Sequence, residues 1–133
     1  MTRRSGSAIP GGSFAIAIAL AVLTLVARTA AAHHSFAMFD ATQTLTVAGT
    51  VKEFQWGNPH TWLEIVILEP GGTPQSLSLE LNGISGLRRN GWKPGSVKSG
   101  DKVTVAYHPI RDGTPAGQLV QMVTEDGQTL KAQ

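Results

Sequence analysis

From Ser76 to Asn82, Leu77, Leu79 and Leu81 alternate with Ser76, Ser78 and Glu80. A period of two places one face of a strand in a core and the other in water, which excludes a helix here and sets the class of the fold. The same alternation recurs along the chain. Residues Thr44 to Trp56 place Leu45, Val47, Gly49 and Val51 on one parity, with Gly49 marking a bend or bulge. Residues His60 to Leu68 set Leu63, Ile65 and Ile67 against Trp62, Glu64 and Val66. Lys102 to His108 and Gln118 to Thr124 complete five predicted strands, separated by turn signals such as Gly57-Asn58-Pro59, Pro70-Gly71-Gly72 and Asp112-Gly113. Glu125-Asp126-Gly127 reads as one more turn.

One stretch breaks the alternation. Ile84 to Asn90 reads as a short helix, with Gly91 at its C-terminal cap, Arg88 and Arg89 in the favourable last turn, and Trp92 placed to pack back on that turn. The order β-β-β-α-β-β in about a hundred residues is that of a mostly β, five-stranded OB-like barrel in which the helix joins strands three and four.

The barrel is preceded by a segment of another kind. Arg3 and Arg4 stand before an uncharged apolar run from Phe14 to Ala27, and Ala30-Ala31-Ala32 supplies small residues for cleavage. This is the pattern of an export signal over residues 1–32. The run is shorter than the roughly twenty residues a membrane-spanning helix needs, so no span is expected once the signal is removed. Arg3-Arg4 permits the twin-arginine route, but Gly6 occupies a position where that signal carries a bulky apolar residue, which favours the Sec route to the periplasm. The mature chain, residues 33–133, is a single domain.

Charge narrows the partners. The 11 lysines and arginines of the full sequence include Arg3, Arg4 and Arg28, so the mature chain keeps 8 against 9 acidic residues, a net charge of −1. The basic footprint of a nucleic-acid binder is absent from it. With no cysteine, the chain forms no disulfide and offers no thiolate. No Gly-x-Ser-x-Gly elbow, phosphate loop, dinucleotide fingerprint or His-Glu-x-x-His helix occurs, and no catalytic residue is assigned.

The histidines carry what chemistry there is: His33, His34, His60 and His108, all in the mature chain. Cleavage after Ala32 frees the amine of His33, which with its own ring Nδ1 and one further imidazole, from His60 or His108, forms a three-nitrogen site. Cleavage one residue earlier gives Ala32-His33-His34, an amino-terminal motif for Cu(II) or Ni(II). Copper suits either set of nitrogens, and zinc or nickel can occupy them. Met38 and Met122 could add sulfur, although methionine among aromatic residues also serves as core filler. Competing structural roles are plain: His33-His34 as a solvated start, His60 as a turn residue bonded to a backbone carbonyl, His108-Pro109 as a strand terminator.

The segments Ala32 to Asp40 (with His-His-Ser-Phe) and Gly49 to His60 (with Asn-Pro-His), together with Gly91-Trp92-Lys93-Pro94, Gly100-Asp101-Lys102-Val103 and His108 to Gly113, resemble a family of small secreted Gram-negative proteins classed as a domain of unknown function. The resemblance implies an exported single domain and carries over no activity. Two functional expectations follow: a periplasmic metal carrier or buffer, copper foremost, built on His33; and a metal-free adaptor that binds an exported protein or small ligand in a groove rimmed by Trp56 and Trp62.

Overall fold

The structure, a computed structural model, describes residues 37–133. The expected export signal and cleavage junction, with His33 and His34, lie outside the described residues. The elements are β1 (Leu45–Gln55), β2 (Thr61–Leu68), β3 (Pro74–Leu81), α1 (Ile84–Arg89), β4 (Lys102–Pro109), β5 (Ala116–Thr124) and β6 (Thr129–Lys131). The five expected strands and the helix are all present, and a short sixth strand follows the turn at residues 125–127.

Strands β1, β2 and β3 form an antiparallel meander, β4 pairs with the other side of β1, and β5 pairs with β4. A parallel pairing of Ser78, Leu79 and Glu80 with Ala116, Gly117 and Gln118 then closes the ring. Closure in the order β1-β2-β3-β5-β4 defines a small OB-type barrel. β6 lies outside the ring, on β5.

β1 serves two partners, and its sequence shows how. Residues Leu45 to Thr50 pair with β4, and Thr50 to Gln55 pair with β2. Gly49 lies close to β2, where a Cβ would fall 2.8 Å from the Val66 carbonyl oxygen, so only glycine fits. The bulge itself falls between Val51 and Glu53. That extra residue reverses the inward parity, bringing Phe54 opposite the buried Leu63.

The core is the sum of the inward faces. Leu63, Ile65, Leu79, Val105, Leu119 and Met122 are fully enclosed, and α1 contributes Leu87. Each such side chain stabilises the fold by about 1.5–3 kcal/mol relative to exposure. The helix ends as its sequence requires: Gly91 has φ +86°, Trp92 N–H donates to the Leu87 carbonyl at 3.0 Å and Gly91 N–H to that of Arg88 at 3.1 Å. These two bonds make a Schellman motif, which a residue with a Cβ at position 91 would strain. Among the described residues no helix is long and apolar enough to cross a membrane.

Candidate functional site

Before β1, residues 38–43 form a strap along the end of β4. Arg111 N–H donates to the Met38 carbonyl at 3.0 Å, Asp40 N–H donates to the Pro109 carbonyl at 2.8 Å, and Phe39 bridges to Ile110 with its side chain buried. Asp40 organises the turn that follows. Its carboxylate accepts bonds from the Thr42 N–H (3.2 Å), the Thr42 hydroxyl (2.6 Å) and the Gln43 amide (2.8 Å), and Arg111 lies 3.7 Å away. The Thr42 hydroxyl chiefly, opposed by desolvation and supported by the Thr42 N–H, Gln43 and Arg111, holds the Asp40 carboxyl below its ordinary range.

His108 sits beside this turn. Its Nδ1 is 2.7 Å from the Gln43 carbonyl oxygen. A carbonyl only accepts, so Nδ1 carries a proton, and in the neutral ring Nε2 carries the lone pair.

His60 is fixed in a different way. Its Nδ1 lies 2.9 Å from Glu80 Oε1, and the Glu80 side chain is only 8% exposed. A backbone carbonyl was the expected structural partner; the partner is a carboxylate, because Glu80, although on the outward side of β3, is covered. Next to His60, the buried Thr61 hydroxyl bonds the carbonyl of Gly57, and Asn58 Oδ1 accepts the first amide of α1 from Ile84. The Asn58–Pro59 peptide is cis. The Asn-Pro-His turn is thereby joined to both the barrel wall and the helix.

Barrel closure brings the two histidines onto one outer face. Across the strands, Trp62 pairs with Glu80, Glu80 with Gln118, and Gln118 with His108. Three strand spacings of about 4.8 Å, roughly 14 Å along the curved wall, separate Trp62 from His108, and His60 stands two residues before Trp62. Among the described residues no three histidine or acidic side chains gather closely enough to hold an ion. Neither His60 nor His108 thus belongs to a three-ligand cluster made of described residues. Met122 is fully buried in the core and Met38 is exposed.

The tryptophans are separated by the wall itself. Trp56 packs against the core cluster near Phe54, at a centroid distance of 5.9 Å. Trp62 is 39% exposed on the outer face, in a depression of about 190 Å³ shared with Glu53, Gln55, Glu64 and Ser78. They do not form two rims of one groove, because the bulge after Val51 turns the end of β1 inward. In that depression Glu64 accepts a 2.7 Å bond from Lys52, which lowers its carboxyl below the usual range.

A five-stranded OB-type barrel with a helix between its third and fourth strands, carrying two oriented histidines outside the core, is the class of protein that the fold and site define. The chain belongs to a family of unknown function, DUF6152, whose model matches residues 20–120. That span takes in the His33-His34 pair, the Asn58-Pro59-His60 turn and His108. No curated protein and no solved structure gives a significant match.

Proposed function

We propose that the protein is an exported barrel of the periplasm that binds a transition metal, copper foremost, through the amine and ring of His33 and one barrel imidazole, His60 or His108, and that it acts as a carrier or buffer. His34 takes part when cleavage leaves Ala32 at the N-terminus. The observation that supports this reading is the state of the two barrel rings. Each engages Nδ1 with an oxygen, Glu80 in one case and Gln43 in the other, and leaves Nε2 as the ligand nitrogen. Metal-binding histidines are oriented in this manner, by a carboxylate or a carbonyl on the second ring nitrogen. Cu(II) favours nitrogen ligands, and a site without thiolate suits Cu(II) better than Cu(I).

The test uses protein exported by its own signal, with its N-terminal residue determined and its metal content measured by elemental analysis. A start at His33 or Ala32 with one copper per chain is the expected result. Correctly processed protein that remains metal-free when offered copper would overturn the reading. In that event the exposed Trp62 depression favours a metal-free adaptor, because an uncovered tryptophan flanked by carboxylates is suited to a cationic ligand.

A further inference from the structure

We infer that the hollow beside Trp62 is a docking site for an arginine side chain of a partner protein, with the indole as its stacking surface and the carboxylates of Glu53 and Glu64 as its counter-charge. The site is independent of the metal reading, because every group in it lies on β1, β2 or β3.

The bulge in β1 creates the site. Its extra residue, Lys52, falls between Val51 and Glu53, so that two consecutive charged residues, Lys52 and Glu53, are exposed together. Glu53 then stands directly opposite Glu64 across the strands, a like-charged pair that costs the sheet stability. Lys52 Nζ donates to Glu64 Oε1 at 2.7 Å, and among the described residues Glu53 has no ion-pair partner. One lysine against two glutamates leaves a single negative charge uncompensated beside Trp62. That ring is 39% exposed, and among the described residues it is the only aromatic side chain left open to this degree. Gln55 and Ser78 complete the wall of the hollow.

An exposed indole next to a surplus carboxylate selects a cation. Guanidinium fits best. It is planar and weakly hydrated, it stacks on an aromatic ring, and its fork of N–H donors matches carboxylates, with the Gln55 amide oxygen and the Ser78 hydroxyl as further acceptors. A lysine ammonium is a compact, strongly hydrated charge, and a quaternary ammonium brings no donor at all. The size of the hollow points to the source of the group. At about 190 Å³ it is smaller than the roughly 300 Å³ at which pockets begin to enclose whole small molecules. It therefore takes the end of a side chain, whose backbone rests on the open sheet around it. Lys52 is the built-in competitor, since its own ammonium already holds Glu64.

Heteronuclear NMR titration of the full exported protein tests the site, with a short capped peptide carrying one central arginine between valine and serine residues as the probe. Saturable shifts are expected at the Trp62 indole N–H and at the amides of Glu53 and Glu64. The same peptide with citrulline, a neutral isostere, should leave them unmoved, and the lysine version should bind more weakly. The two charge variants should act in opposite directions: Glu53→Gln weakens binding, whereas Lys52→Gln releases Glu64 and tightens it, each by roughly two- to fivefold. Trp62→Leu, followed at the Glu53 and Glu64 amides, should weaken it by a similar factor. Circular dichroism checks the folding of each variant, and a purely structural role would not give the two charge variants opposite signs. Equal shifts with the citrulline peptide, shifts centred on another face of the barrel, or an affinity indifferent to both charge variants would overturn the site. Free arginine amide binding as tightly as the peptide would overturn the assignment to a partner protein.

Discussion

His60 Nδ1 lies 2.9 Å from a Glu80 carboxylate that is 92% buried on the outward side of β3. An acidic group withdrawn from water is costly unless it is bonded, and removing one partner leaves the other with its desolvation penalty. His60→Ala should therefore destabilise the fold by about 1–3 kcal/mol, and Glu80→Gln by less, because an amide oxygen still accepts from Nδ1. Urea unfolding measures both. In the double variant the two losses should fall short of their sum, since the first substitution already removes the contact. Strict additivity would show that the pair is not coupled.

Asn58 caps a helix that lies 26 residues further along the chain. Gly83, the residue before α1, has no side chain to satisfy the first amides, and Asn58 Oδ1 takes the bond from Ile84 N–H at 3.0 Å. Asn58→Ala should cost about 1 kcal/mol, the usual effect of losing a helix cap. Gly83→Ala should cost more, against the general preference for alanine, because its Cβ would stand 2.7 Å from the Pro59 carbonyl oxygen and 2.9 Å from Asn58 Oδ1. Thermal unfolding of the two variants checks the order.

What the sequence made legible was local. The alternation of Leu77, Leu79 and Leu81 fixes an inward face within seven residues, and the Gly91 cap depends on positions one turn apart. The β3–β5 seam is different, because it joins Ser78 to Ala116 with no sequence signal for a parallel pair. From the seam follows the row that places Glu80 beside Gln118 and brings His108 to the same face. Trp56 shows the other limit: continued alternation from Val51 would point it outward with Trp62, and a single bulged residue reverses it. Gly49 announces an irregularity, but it meets β2 at close quarters while the bulge comes after Val51. β6 is too short, at three residues, for its period to be read.

Asp40 links the strap to pH. Its carboxyl is held below the ordinary value of 3.8, first by the Thr42 hydroxyl. A lowered folded-state value means that the ionised group stabilises the seated strap. That contribution is complete above the ordinary value and is lost as the pH falls through the lowered one. The strap should therefore loosen below about pH 4, seen as reduced amide protection, relative to the intrinsic exchange rate at each pH, at Asp40 and Arg111, whose N–H groups hold it to β4. Asp40→Asn should flatten that acid-dependent step. An unchanged step in this variant would assign it to other carboxylates, of which Asp112 and Asp126 are also lowered, each by a neighbouring threonine hydroxyl.

Trp92 gives the short sixth strand its purpose. The ring is 1% exposed and stacks on Phe54 at 5.8 Å, and Nε1–H donates to the Lys131 carbonyl at 2.7 Å. Asn90 Nδ2 donates to the Gln133 carbonyl as well, so the end of the helix is held at two points, to Lys131 of β6 and to Gln133 after it. Trp92→Phe keeps an aromatic ring against Phe54 but removes the bond, leaving a backbone oxygen without its donor, for an expected loss of about 1–3 kcal/mol. Deleting residues 129–133 removes the acceptor together with the buried Leu130 and Ala132, and should cost more. If β6 acts by receiving the indole, Trp92→Phe in the shortened chain should cost measurably less than in the full one. Equal costs in the two backgrounds would show that β6 stabilises the barrel through Leu130 and Ala132 alone.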